Sequence, residues 1–276
     1  MKIFISVDME GISGINHPEH VLNTGRLYAE GRKMMTEDAN AAIRGAFDGG
    51  ADEVIVSDMH GAGNNFITAD LDPRALVLQG SPRTPRFPFL DEKVDGLFLV
   101  GYHAMNGTLY ANLEHTMNSK SWHKFCINGR VSGELGIDAI IAAESGVPVV
   151  MVSGDDKFCD EARDFLGDKV ETACTKQGLG RQQALMLSVE RGRQVVYEHA
   201  KRAVERLVAG EKFPLMETAE KYTVSTTYKM VPDADDAAHT YGARRIDGYT
   251  VEIDYPRMAD MYGGLWSEFG IEQTVK

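Results

Sequence analysis

Residues 2–10 read Lys2-Ile3-Phe4-Ile5-Ser6-Val7-Asp8-Met9-Glu10, an apolar run that ends in two acids. Three later segments repeat this form: residues 53–60 end in Asp58-Met59-His60, residues 97–103 end in His103, and residues 148–156 end in Asp155-Asp156. Because the four runs are apolar throughout, they predict strands of a parallel sheet that is covered on both faces. Ligand sites in open α/β sheets form beyond the carboxyl ends of such strands, so we expect the four endings to converge.

Helical segments separate these runs, so the sequence predicts an α/β fold with a mostly parallel central sheet flanked by helices. Thr36-Glu37-Asp38 has the capping hydroxyl and the acids of a helix start, and Gly49-Gly50 ends that helix. Asn128-Gly129 lies between short apolar runs and predicts a β-hairpin, which is followed by a helix that reaches about Glu144.

The composition changes beyond about residue 175. Residues 177–180 are Gln-Gly-Leu-Gly, which is typical of a linker, and residues 188–209 predict a long amphipathic helix. Strands over 222–229 and 249–255, a short helix near 233–239 and a last helix near 258–269 complete the chain. We therefore expect a metal-binding α/β catalytic domain over residues 1–176 and a smaller α+β domain over residues 177–276.

The charge of the chain argues against one class of partner. Its 41 acids outnumber its 29 lysines and arginines, and a net charge of −12 disfavours binding along a nucleic-acid backbone. No apolar run approaches the roughly 20 residues of a membrane span, and the amino terminus lacks a signal-peptide pattern. The three cysteines, Cys126, Cys159 and Cys174, have no CxxC spacing and are expected to be reduced thiols. We therefore expect a cytoplasmic protein without a nucleic-acid or membrane partner.

The acids and histidines near the strand ends are candidate metal ligands. Asp8 and Glu10 lie two apart on an extended segment, so their carboxylates point the same way and repel unless a cation lies between them. Taken singly, His60 and His103 are explained as structural histidines, and Glu134 as an acid favoured at a helix start. Together, the five mix the oxygen and imidazole ligands of zinc hydrolases and exceed the three protein ligands of one catalytic zinc. They suit two metal ions that share an acidified water molecule.

The run Ser6-Val7-Asp8-Met9-Glu10-Gly11-Ile12-Ser13-Gly14 closely resembles the opening of the zinc-dependent D-aminopeptidases, the bacterial self-compartmentalising type found with dipeptide-transport genes. Matching motifs follow in the same order over roughly the first 160 residues: Asp58-Met59-His60, Asn64-Asn65, Gly101-Tyr102-His103-Ala104, His115-Thr116-Met117, Gly133-Glu134-Leu135-Gly136 and Val152-Ser153-Gly154-Asp155-Asp156. Around Met59, Gly61 and Gly63 the chain departs from the family pattern, a difference that can reshape the pocket.

The resemblance implies two zinc ions per chain, bridged by Asp8. Their ligands would be Asp8, Glu10, His60, His103 and Glu134. His115 matches the catalytic histidine of the family, where it is proposed as the nucleophile; a general base or a stabiliser of the transition state is equally sensible chemically. Asp58 and Asp155-Asp156 are then supporting groups, with Asp58 a candidate for orienting a ligand histidine.

The same resemblance implies the activity and the assembly. The expected reaction is hydrolysis of the N-terminal residue from short D-amino-acid peptides and amides, such as D-Ala-D-Ala. The expected assembly is a homodecamer of two stacked pentamers that encloses the active sites. Residues 177–276 would then serve assembly and line the cavity.

Two alternatives remain open from the residues themselves. Two-metal sites also hydrolyse other small amides and phosphoesters. A phosphoester substrate is less favoured, because the sequence shows no obvious phosphate-binding loop or arginine cluster near the metal motifs; Arg83 and Arg86 are the nearest candidates. The second alternative is a non-catalytic, metal-stabilised assembly protein, against which the complete ligand set and His115 argue.

Overall fold

The computed structural model describes residues 1–81 and 85–261. Its strands, in chain order, are β1 (Lys2–Val7), β2 (Glu53–Asp58), β3 (Leu76–Leu78), β4 (Gly96–Val100), β5 (Trp122–Ile127), β6 (Arg130–Val131), β7 (Val149–Asp155), β8 (Glu171–Gly180), β9 (Gln183–Met186), β10 (Tyr222–Tyr228), β11 (Arg244–Arg245) and β12 (Thr250–Tyr255). Its helices are α1 (Pro18–Val21), α2 (Tyr28–Asp48), α3 (Glu134–Glu144), α4 (Asp156–Leu166), α5 (Val189–Val208) and α6 (Val231–Ala237), with a 3-10 turn at Thr68–Asp70.

The central sheet has seven strands in the order β3-β2-β1-β4-β7-β8-β9. Neighbouring strands from β3 to β8 are parallel, and the hairpin of β8 and β9 is antiparallel. The predicted fold class is therefore confirmed, and the four predicted strands lie side by side as β2, β1, β4 and β7. Their carboxyl ends meet at one edge of the sheet, as the site prediction requires.

Both faces of this sheet are buried, as the uniformly apolar strands predict. Along β1, Ile3 and Ile5 belong to the hydrophobic cluster that includes residues of α2 and α5, whereas Phe4 belongs to the cluster with residues of α3 and α4. All three side chains are fully buried, and each such burial stabilises the fold by about 1.5–3 kcal/mol. The sheet thus forms a rigid base for the loops at its carboxyl edge.

Helix α2 is longer than its sequence signals predict. It begins at Tyr28, so the predicted start at Thr36 is wrong. The Thr36 hydroxyl donates to the carbonyl oxygen of Arg32 in the preceding turn, which a serine or threonine inside a helix can do as well as cap one. Near its end, a Cβ at Gly45 would lie 2.5 Å from the carbonyl oxygen of Tyr197, so the glycine allows α5 to approach closely.

Helix α5 confirms the predicted amphipathic helix. The Ser188 hydroxyl caps its first turn by accepting a hydrogen bond from the backbone N–H of Arg191. Gly210 follows its end with a φ of 83°, a conformation that glycine adopts without strain. Among the described helices, none has the length and apolar composition that crossing a membrane requires.

A second, antiparallel sheet has the order β11-β12-β10-β5-β6. Its β5–β6 hairpin confirms the prediction from Asn128-Gly129, because both turn residues have positive φ, 49° and 81°. The predicted strands over 222–229 and 249–255 are β10 and β12, and the short helix near 233–239 is α6. The last predicted helix, near 258–269, lies mostly outside the described residues.

The predicted linker at residues 177–180 is wrong. These residues continue β8, because Gln177 and Gly178 pair with Leu185 and Ala184 of β9. The second sheet combines β5 and β6, from the first 176 residues, with β10 to β12 from the remainder. The division of the chain into domains at residue 176 stays a prediction.

Candidate metal centre

The carboxyl edge of the central sheet brings together the five candidate metal ligands and His115. Asp8 and Glu10 follow β1, His60 follows β2, His103 follows β4, and Glu134 is the first residue of α3. All but His60 are less than one-tenth exposed. The convergence follows from topology, because β2, β1 and β4 are adjacent parallel strands and their ends lie side by side.

The carboxylate of Asp8 lies between two imidazoles. Its Oδ1 is 3.1 Å from Nδ1 of His60, and its Oδ2 is 3.4 Å from Nε2 of His103. The same Nδ1 of His60 is 3.2 Å from Oε2 of Glu10. The two oxygens of Asp8 thus face opposite ligand groups, which is the arrangement that a bridging carboxylate needs.

Glu134 closes the other side of the cluster. Its Oε1 is 3.5 Å from Nε2 of His103 and 3.9 Å from Nε2 of His115, and it accepts a hydrogen bond of 2.8 Å from the backbone N–H of Met117. This amide therefore orients the carboxylate. The sequence does not indicate this hydrogen bond, because its donor is a main-chain N–H and not a particular side chain.

The outer nitrogen of each imidazole faces a backbone carbonyl. Nε2 of His60 is 2.8 Å from the carbonyl oxygen of Val21, and Nδ1 of His103 is 3.1 Å from that of Ala104. For His115, Nδ1 is 2.9 Å from the carbonyl oxygen of Leu113. With the proton on the outer nitrogen, each ring donates to its carbonyl and turns an unprotonated nitrogen toward the centre.

Asp58 supports the loop after β2. Its carboxylate accepts hydrogen bonds from the backbone N–H of His60 at 3.3 Å and from Nδ2 of Asn65 at 2.9 Å. Asp58 thus holds the main chain of His60. The carbonyl of Val21 contacts the ring itself.

The buried carboxylates of the cluster favour the binding of positive charge, either as protons or as a cation. Burial alone would lower the pKa of His60 and of His103, but nearby carboxylates outweigh it and raise both well above the ordinary value. Burial would raise the pKa of Asp8 and of Glu134, yet His103 and His60 hold the pKa of Asp8 below its usual range, and His103 and His115 do the same for Glu134. Three buried carboxylates thus draw protons onto the imidazoles, and a divalent cation would satisfy the same demand while displacing those protons.

His115 differs from its neighbours in this respect. Burial and the charge of His103 lower its pKa, so His115 is neutral where the other two imidazoles hold a proton. Its ring stacks on that of His103. A neutral imidazole with one nitrogen anchored can accept a proton at the other.

The donor set fits divalent metal ions. Ligand atoms of Asp8, Glu10 and His103 lie within 4.8 Å of one another, and so do those of His103, His115 and Glu134. Nε2 of His103 and Oε2 of Glu10 are buried without a hydrogen-bond partner, which is costly unless another group occupies the space between them. Imidazole and carboxylate donors of this kind suit zinc.

The remaining candidates have structural roles. Asp155 caps α4 by accepting from the backbone N–H of Phe158, and its other oxygen accepts from that of Asn112. Asp156 accepts from the backbone N–H of Gly178. The predicted supporting role of this acid pair thus consists of holding loops in place.

Of the two arginines considered for a phosphoester, Arg86 is buried and paired with Asp138, and Arg83 lies outside the described residues.

A further residue at the site, Lys176, was not identified from the sequence. It lies in β8 at the boundary expected between the two domains.

Comparison with known proteins agrees with this geometry. The model of the D-aminopeptidase family matches residues 1–267. A D-aminopeptidase of Bacillus subtilis (strain 168) is 40% identical over 193 residues, which cover 68% of this chain and 68% of that protein. The solved structure of the zinc-dependent D-aminopeptidase DppA of Bacillus subtilis, described as a self-compartmentalizing protease, superposes with a TM-score of 0.91. That match is 31% identical and covers 100% of this chain and 99% of the other.

Fold, site and relatives together define a hydrolase of the peptidase class. Within that class, the chain belongs to the D-aminopeptidase family.

Proposed function

We propose that this protein is a dinuclear zinc aminopeptidase that removes the N-terminal residue from short D-amino-acid peptides and amides, such as D-Ala-D-Ala. The observation that carries the proposal is the convergence of five donor side chains around the Asp8 carboxylate, because one tetrahedral catalytic zinc uses only three protein ligands. The zinc dependence and D-specificity of the Bacillus relatives support it.

In this proposal, Asp8, Glu10, His60, His103 and Glu134 would hold two zinc ions per chain, with Asp8 as the ligand common to both. The opposed contacts of its two oxygens, with His60 on one side and His103 on the other, support the bridging role. Zinc, when bound, supplies the Lewis acidity that polarises the scissile carbonyl and acidifies a water molecule.

His115 is the proposed proton-handling residue. The carbonyl of Leu113 anchors its Nδ1, which leaves Nε2 on the side of Glu134 to take up or return a proton. Among the roles considered for it, this geometry favours the general base. Carboxylates and imidazoles of the chain would therefore hold the metals in position, and His115 would transfer the proton.

We further propose that the protein acts as a homo-oligomer, a decamer of two stacked pentamers, in the cytoplasm. The self-compartmentalizing character of the Bacillus structure supports an assembly that excludes large substrates. The division into a catalytic domain over residues 1–176 and an assembly domain over 177–276 is part of the same proposal. Light scattering of the purified protein measures the number of chains directly.

The function is tested with a substrate panel on zinc-loaded protein: D-Ala-D-Ala, L-Ala-L-Ala, D-alanine amide and p-nitrophenyl phosphate. We expect hydrolysis of the D-dipeptide and the D-amide, little turnover of the L-dipeptide and none of the phosphate. A chelator should abolish the activity and added zinc should restore it. Equal or faster hydrolysis of the L-dipeptide would remove the stereochemical claim, and turnover of the phosphate alone would favour a phosphoesterase.

A further inference from the structure

Lys176 is a buried lysine whose ammonium group is enclosed by backbone carbonyls. The residue is 2% exposed. Nζ donates to the carbonyl oxygens of Glu10 at 2.7 Å and Ile12 at 3.1 Å, and also to that of Ile15. An ammonium has three N–H donors, so all of them are directed at one loop, the loop that carries Glu10.

A local irregularity of β8 makes this contact possible. Next to β7, Gly154 pairs with Cys174 but Asp155 pairs with Lys176, so Thr175 is an extra residue. Consecutive strand residues normally face opposite sides, yet the side chains of Thr175 and Lys176 both reach the loop after β1. The Thr175 hydroxyl contacts the carbonyl oxygen of Gly11 at 3.4 Å. Two adjacent residues of β8 thus contact the carbonyls of residues 10, 11, 12 and 15.

The loop is confined on its other sides as well. The backbone N–H of Gly11 donates to the carbonyl oxygen of Gly101, and a Cβ at Gly11 would lie 1.9 Å from the carbonyl oxygen of Tyr102. The backbone N–H of Ser13 donates to Oδ2 of Asp38 in α2. With Lys176 in place, the loop therefore has hydrogen-bonded neighbours in β8, in α2 and at the end of β4.

Burying a charged group at this position costs free energy, and filling the space there does not require a charge. Three carbonyl oxygens accept hydrogen bonds from Nζ, and the protonated ammonium has one N–H for each of them. Among the described residues, no carboxylate lies within 4.0 Å of Nζ, and the more distant charges of Asp155, Asp38 and Glu10 stabilise it. A methionine would fill the same volume without desolvating a charge. What the methionine could not do is bind the three carbonyls.

We propose that Lys176 is a positioning residue for the metal centre: its ammonium acts as a built-in cation that sets the Glu10 loop, and with it the Asp8–Glu10 ligand pair, before any metal binds. The inference rests on the proposed metal site. Without Lys176, three carbonyls at one point would lose their shared partner, and the backbone that directs the Glu10 carboxylate would relax. Zinc would then have to order the loop itself and would bind more weakly.

The first test is the substitution Lys176→Met, with Lys176→Gln as a second variant should the methionine protein fail to fold. The readout is the zinc dissociation constant, measured by competition with a chromophoric chelator. We expect affinity to fall by about 10- to 100-fold, as for other residues that support metal ligands indirectly. The visible spectrum of the cobalt-substituted protein should also change, because the ligand geometry differs. The matched control is Lys124→Met, which removes an exposed lysine of β5 and should leave both measurements unchanged.

The second test is chemical rescue. In Lys176→Ala, n-propylammonium replaces the missing atoms and their charge, and it should restore much of the zinc affinity. The neutral n-propanol, of similar size, should not. Restoration by both additives would show that volume rather than charge is needed, which would overturn the proposal.

The inference and the proposed function fail in distinguishable ways. If folded Lys176 variants bind zinc as tightly as the unmodified protein and give the same cobalt spectrum, the positioning role is wrong while the metal centre stands. If the unmodified protein binds no zinc, the metal centre itself is wrong.

Discussion

The imidazole rings of His103 and His115 stack face to face, with centroids 3.9 Å apart and planes inclined by 11°. The two histidines nevertheless have different surroundings. Nε2 of His103 lies between Asp8 and Glu134, whereas Nε2 of His115 has Glu134 as its carboxylate neighbour, at 3.9 Å. The stack therefore brings a proposed proton-handling residue beside a proposed ligand and predicts separate consequences when each residue is removed.

Glu134→Ala should lose metal and activity together, because it removes one of the five proposed metal ligands. His115→Ala should keep its zinc and lose turnover by about 100-fold or more, the usual contribution of a proton-transfer residue. Elemental analysis of both purified variants, alongside peptide hydrolysis, checks the prediction. Full activity of His115→Ala would show that the histidine is not catalytic.

Arg181 is expected to hold the loop that carries His115. It donates to the Glu114 carboxylate at 2.7 Å and also to the Glu114 carbonyl. Two non-glycine residues beside the histidine, Leu113 and Met117, both have a φ of 55°, a conformation that costs about 1–3 kcal/mol and persists only where the surroundings impose it.

Arg181→Ala should therefore reduce kcat about ten-fold while zinc content stays the same, since His115 would lose its alignment rather than the metal its ligands. Arg181→Lys should recover part of the loss because it retains a donor. Arg191→Ala, in the first turn of α5, is the control. An unchanged kcat in Arg181→Ala would remove the positioning role.

Asp38 should make stability depend on pH. Burial raises the pKa of its carboxyl from 3.8 to about 6, although Ser13, Arg193 and Lys176 offset part of the effect. The folded state therefore loses stability relative to the unfolded state as the pH rises from about 4 to about 6, by at most about 3 kcal/mol.

Asp38→Asn keeps an acceptor for the backbone N–H of Ser13 but cannot ionise. The variant should equal the unmodified protein below about pH 4 and be more stable than it above about pH 6. Urea unfolding at several pH values gives the difference. A variant that is less stable at pH 7 than the unmodified protein would contradict the assigned cause.

Asp138 neutralises Arg86 in the interior. The carboxylate, which is fully buried, accepts from Arg86 and from the hydroxyl of Tyr102 at 2.7 Å. Asp138→Ala should destabilise the protein by about 3–5 kcal/mol, because it leaves the arginine charge without this partner. The double variant Asp138→Leu with Arg86→Met should be more stable than Asp138→Ala, as thermal unfolding would show. Equal stability of the two would mean that the charge pair is not the cause.

Much of the fold was predictable because it follows from local patterns. The apolar runs identified β1, β2, β4 and β7, and the Asn128-Gly129 pair identified its hairpin. The two predictions that were wrong, a helix start at Thr36 and a linker at residues 177–180, share a different cause. Thr36 has the side chain of a helix cap but lies inside α2, and residues 177–180 have the composition of a linker but extend β8. Packing of α2 overrides the local preference at Thr36, and pairing with the following strand β9 overrides it at residues 177–180.

The sequence alone determined the class of chemistry. Acids and histidines follow the apolar strands, and the ends of parallel strands lie together in one sheet, so these residues are identified as candidate ligands. Only the tertiary structure decided how those ligands are held. The contact of His60 with Val21, of Glu134 with the Met117 amide, and of Lys176 with Glu10 joins residues 39, 17 and 166 positions apart, respectively. Each involves a backbone atom, which every residue carries alike, so no pattern of side chains could have revealed it.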